Sequence, residues 1–94
     1  MRVEWLRRAL RNLEDEASYI ATDDEAAARL VVTRILRAVA QLADQPGLGR
    51  PGRVPGTREL IVQKTRYIVP YRVSGERVEI LRVFHTSRRL PPRW

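Results

Sequence analysis

Apolar residues recur at Leu6, Leu10, Leu13, Ala17 and Ile20, the spacing of a single helical face. A second stripe, Ala28, Val31, Ile35, Val39 and Leu42, widened by Val32 and Leu36, predicts another helix from about Asp24 to Leu42. Between them, Thr22-Asp23-Asp24-Glu25 reads as a capping box in which the Thr22 hydroxyl accepts from the Glu25 amide, and Pro46-Gly47 supplies the stop. Two helices so close in sequence, each with one apolar face, pack as an antiparallel hairpin.

The rest of the pattern is β-like. Arg2–Trp5 predicts a brief first strand, and the runs Arg58–Gln63, Tyr67–Val73 and Arg77–His85 predict three more, the last two joined by a turn at Ser74-Gly75-Glu76. Pro70 cannot donate to a ladder, so a bulge or unpaired edge is expected beside it. Residues 46–56 hold four of the five glycines and three of the six prolines, which predicts a loop without regular structure. The expected fold is α+β: a short N-terminal strand, then a helical hairpin packed on an antiparallel β-meander, in the order β-α-α-β-β-β.

Composition narrows the function. With 94 residues the chain supports one core and one domain, 1–94. It has no cysteine, which excludes disulfides, thiolate metal sites and cysteine nucleophiles. No apolar run approaches a membrane span and no signal-peptide pattern opens the chain, so a cytoplasmic protein is expected. The formal charge is +7, and all of that excess falls after residue 43. Such asymmetry fits an anionic partner, although an arginine-rich surface can also be a feature of composition alone.

Candidate chemistry is sparse. Arg50, Arg53 and Arg58 sit on the glycine-relaxed loop, where planar guanidinium forks suit phosphate or carboxylate; a solvated connection is the plainer reading. No phosphate-binding GxxxxGK[ST] accompanies them, and no cofactor is expected. Arg72, Arg88 and Arg89 complete the candidate set for an anionic partner. His85 is the only histidine; alone it makes no metal site, and it is either a general acid or base or a structural strand-end residue. Strict alternation puts Val78, Ile80, Arg82 and Phe84 on one face of the last strand, with Glu79, Leu81, Val83 and His85 on the other. With both faces partly apolar, the strand is either central or covered by another chain. Trp94 either packs internally or anchors a partner.

Three segments together, Arg50 to Leu60, Tyr67 to Val73 and Val78 to His85, resemble the RelE/ParE toxins over essentially the whole chain. The resemblance implies a toxin of a type II toxin–antitoxin system, neutralised by an antitoxin whose C-terminal segment wraps it and for which Leu81, Val83 and Trp94 are the candidate contacts. RelE-like members are similar to metal-independent ribonucleases that cut messenger RNA on the ribosome; on that side His85, Arg82, Arg58 and Arg53 would be the catalytic set. ParE-like members inhibit DNA gyrase without that active site. The tail from Thr86 to Trp94 has no tyrosine and the loop lacks a lysine-rich pattern, so the sequence looks closer to the ParE side.

Overall fold

The computed structural model describes all 94 residues, Met1–Trp94. In chain order the elements are β1 (Arg2–Trp5), α1 (Arg7–Ala21), α2 (Glu25–Ala40) with a 3₁₀ turn at Gln41–Ala43, β2 (Arg50–Pro51), β3 (Arg58–Ile61), β4 (Tyr67–Ser74), β5 (Arg77–Ile80) and β6 (Phe84–His85). The expected α+β plan is present. The strands form one sheet in the order β1-β5-β4-β3-β2, with β6 also pairing β4. The sheet is mixed: β1 runs parallel to β5, and the other pairings are antiparallel.

The helices meet the sheet through a single core that includes Ala9, Leu13, Ile35, Val39, Leu42, Val69, Tyr71, Val78 and Ile80. Burying a side chain such as Ile35 contributes roughly 1.5–3 kcal/mol. The buried stripe on α1 keeps Leu13, with Ile20 packed against the core, but not Leu10. Ala9, Leu13 and Glu16 face inward, whereas Leu10 is 42% exposed. Glu16 can take a core position because Tyr67 and Arg88 both bond its carboxylate. On α2, Leu36 is likewise exposed instead of widening the buried face.

Local rules explain the helix ends. Asp24, not Thr22, caps α2: its carboxylate accepts from the Ala27 amide at 3.0 Å. Thr22 instead closes α1, its hydroxyl donating to the Ser18 carbonyl. The β4–β5 hairpin turns on Gly75 and Glu76. Gly75 has φ +62° and is the only residue of that pair at positive φ, the arrangement of a type II′ turn.

Two expectations about the sheet change. Residues 46–56 are not wholly irregular, because Arg50 and Pro51 pair with Glu59 and Arg58 as a two-residue edge strand, and proline is tolerated on an edge. The run Arg77–His85 splits into β5 and β6. Pro70 uses its carbonyl to accept from Leu81 but has no N–H to return, and the ladder bulges at 81–83. The extra residue reverses the alternation: Val83 joins Val78 and Ile80 in the core, the opposite of the face assigned by strict alternation.

Candidate functional site

The basic half of the sequence is not a free basic surface. Arg50 lies 3.0 Å from Glu59, a carboxylate only 3% exposed that also accepts from the Arg53 backbone N–H at 2.9 Å. Arg53 adds a longer ion pair to the same group. Arg58 donates to the Gly49 carbonyl at 2.8 Å and more weakly to that of Gly47. The three loop guanidiniums therefore fasten the 46–56 segment to the sheet edge. Arg72 donates Nε to Glu79 at 2.6 Å, and that contact holds the Glu79 carboxyl below the usual carboxylate range. Arg88 grips Glu16 with two nitrogens. Of the six cations expected to meet an anionic partner, only Arg89 lacks an internal contact.

The cations that do stand free are distributed differently. Arg7, Arg8 and Arg11 on α1 are exposed and make no ion pair or hydrogen bond, and Arg29 and Arg37 on α2 are likewise unpaired. Summing charge along the sequence missed this, because half of the ten second-half arginines, Arg50, Arg53, Arg72, Arg77 and Arg88, are matched to glutamates contributed by both halves.

The four groups proposed for catalysis have four separate environments. His85 packs edge-on against Tyr67 with ring centroids 5.1 Å apart. Its Nδ1 accepts from the Ser87 N–H at 3.1 Å and lies 2.6 Å from the Ser87 hydroxyl. Because a backbone N–H can only donate, Nδ1 carries the ring's lone pair and the proton sits on Nε2. Arg82 donates to Asn12 at 2.7 Å and lies over the Phe84 ring, 4.6 Å from its centroid. Arg53 and Arg58 are bound in the loop as described. No hydrogen bond, ion pair or shared cavity joins any two of the four.

Leu81 and Val83, expected to face a partner, are 8% and 2% exposed. They are covered by their own chain and offer no side-chain surface in this structure, a correction that follows from the bulge and from strand pairing on both sides of β4. Trp94 lies on Phe84, ring centroids 5.6 Å apart, and its indole N–H donates to Thr57 at 3.2 Å. The tail thus returns over the sheet face opposite the helices, where Phe84 is registered with Ile68.

A groove that the sequence did not disclose runs between α2 and the edge of the sheet. It encloses about 500 Å³ and is lined by Arg34, Arg37, Leu48, Arg50, Ile61 and Lys64 among others. Leu48 and Ile61 are nearly half exposed. Since β2 pairs only with Arg58 and Glu59, the end of β3 has a neighbour on one side only. A second cavity, of about 440 Å³, lies at the other end of β4 among Glu16, Tyr19, Tyr67, His85 and Arg88. No cluster of His, Asp or Glu in the chain could hold a metal ion, and no helix is long and apolar enough to cross a membrane.

A two-helix hairpin on a mixed sheet, with an arginine-rich exterior and an unpaired strand edge, defines a small α+β domain. Its fold is shared with a chain of the chromosomal ParDE TA system from P. aeruginosa, at a TM-score of 0.81 and 31% identity, over 90% of this chain and 95% of that one. The sequence is 49% identical over 90 residues to Y4kP, a toxin-named protein of Sinorhizobium fredii (strain NBRC 101917 / NGR234), covering 96% of this chain and 93% of that protein. Residues 3–90 match the family described as ParE toxin of type II toxin-antitoxin system, parDE. The chain belongs to this ParE toxin family.

Proposed function

We propose that this ParE toxin arrests growth by inhibiting DNA gyrase, is not itself a nuclease, and is neutralised by a cognate antitoxin in the cytoplasm. The observation that carries the gyrase reading is the separation of His85, Arg82, Arg58 and Arg53. A ribonuclease would need a base and phosphate-holding cations around one scissile bond, whereas no hydrogen bond, ion pair or shared cavity brings any two of these groups together. The lone pair of His85 in particular is already engaged by Ser87. This counts against the alternative, a ribosome-dependent messenger RNA endonuclease.

Pairing with an antitoxin is supported by the ParDE system that shares the fold. The groove between α2 and β3 fits an extended, acidic, amphipathic segment. Its unpaired strand edge can accept backbone hydrogen bonds, Leu48 and Ile61 offer apolar contact, and Arg37 and Lys64 supply unpaired positive charge. The deciding experiment incubates the purified chain with gyrase, ATP and plasmid. Loss of supercoiling with accumulation of cleaved DNA, reversed by the antitoxin, is expected; uninhibited gyrase would rule the proposal out.

A further inference from the structure

The contacts that α1 makes with the sheet and the tail repeat at one-turn intervals. Asn12 accepts from Arg82 and from the Val83 amide. Four residues later Glu16 accepts from Tyr67 and Arg88. Residues so spaced are neighbours on one helix face. One turn earlier the same edge carries Arg8, so the series of acceptors ends in a cation. Arg8 lies close enough to Arg82 that its charge adds to burial, the larger cause, in lowering the Arg82 pKa.

No ion pair offsets this corner. Arg7, Arg8 and Arg11 are exposed and unpaired. The first turn of α1 has no acidic residue and its N-cap, Leu6, makes no side-chain hydrogen bond, so the positive end of the helix is left uncompensated. Glu14 and Asp15, the nearest carboxylates further along α1, enter no ion pair. On the other side, Arg82 reaches the Trp94 carbonyl at 3.4 Å, which brings the tail bearing Arg93 to the same corner.

We infer that Arg8, Arg11 and Arg82 form a binding site for the phosphodiester backbone of duplex DNA. An oxyanion offsets the mutual repulsion of neighbouring guanidiniums, and Arg suits the geometry of phosphate. An acidic peptide fits less well, because the groove beside β3, the cavity at Tyr67 and a third between α1 and α2 all open elsewhere and the corner has no pocket for an apolar anchor. The choice of DNA over RNA rests on the gyrase reading; the anion site itself does not.

Binding of a labelled duplex oligonucleotide, followed by fluorescence anisotropy over a range of salt concentrations, tests the site. The variants are Arg8→Glu/Arg11→Glu, Arg8→Lys and, as a charge control on α2, Arg29→Glu, each checked for fold by circular dichroism. The double variant is expected to bind at least about ten-fold more weakly and to lose about one unit of salt slope per phosphate contact removed. Arg8→Lys retains most of the affinity, and Arg29→Glu changes it little. The site is overturned by absence of binding in the parent chain or by an equal loss in Arg29→Glu. It is also overturned by about ten-fold tighter binding of a single-stranded RNA of equal length, or by a double variant that loses antitoxin and keeps DNA. Gyrase inhibition is scored separately: a chain that binds DNA through Arg8 but leaves gyrase active keeps this site and sinks the proposed function.

Discussion

The backbone N–H of Gly49 donates to the Tyr71 hydroxyl at 2.8 Å, and that hydroxyl donates to the Pro46 carbonyl at 2.7 Å. Tyr71 is fully buried in the core, so one phenol ties the loop after α2 to the centre of the sheet. The contact is so close that a Cβ on Gly49 would lie 2.7 Å from the Tyr71 ring and 2.9 Å from the Glu59 carbonyl.

Removing either partner should therefore be costly. Tyr71→Phe orphans a buried donor and acceptor, and a loss of about 1–3 kcal/mol is expected in urea unfolding. Gly49→Ala should cost a similar amount, roughly 1–3 kcal/mol, through overpacking. A Gly49→Ala chain as stable as the parent would show that the loop can move away from Tyr71.

Alkaline stability should report on Tyr67. Burial first, then its hydrogen bond to Glu16, raises its pKa to about 12. The folded value lies above the unfolded one near 10, so the unfolded chain loses this proton first. The stabilising effect is complete below pH 10 and disappears as pH rises toward 12. Ultraviolet titration of the chain against its Tyr67→Phe variant should assign to Tyr67 a phenol that ionises at about 12, and Tyr67→Phe should flatten stability over that interval. A Tyr67 that ionises near the ordinary phenol value of about 10 contradicts the structure.

Glu16 should control the tail. Glu16→Ala leaves Arg88 and the Tyr67 hydroxyl without their shared partner, at a cost of about 1–3 kcal/mol; the exposure of Arg88 argues against a larger figure. Amide hydrogen exchange in Thr86–Trp94 should accelerate, and the Tyr67 pKa should fall. Unchanged protection there would mean that Trp94 alone fixes the tail through Phe84 and Thr57.

His85 should be dispensable for toxicity. His85→Ala removes the contacts to Ser87 and Tyr67, and under the gyrase proposal, which gives His85 no chemical role, growth arrest should persist at equal folded protein. Abolished toxicity together with lost transcript cleavage on translating ribosomes would restore the nuclease alternative.

Much of this molecule is fixed by local pattern. The two helical stripes, the hairpin turn at Gly75 and the break imposed by Pro70 follow from periodicity, φ preference and a missing donor, each of which acts within a few residues. The family was also legible, since it rests on segments whose order the chain itself displays. Tertiary structure decided what depends on distant partners. Glu16 becomes a core residue only because Tyr67 and Arg88 reach it from the sheet and tail. The parity of Val83 reverses through a bulge set by a neighbouring strand. Which arginines are free depends on where Glu59, Glu79 and Glu16 come to lie. Charge in a sequence is a sum, but charge on a surface is what remains after pairing, and pairing across many residues is fixed only when the chain closes.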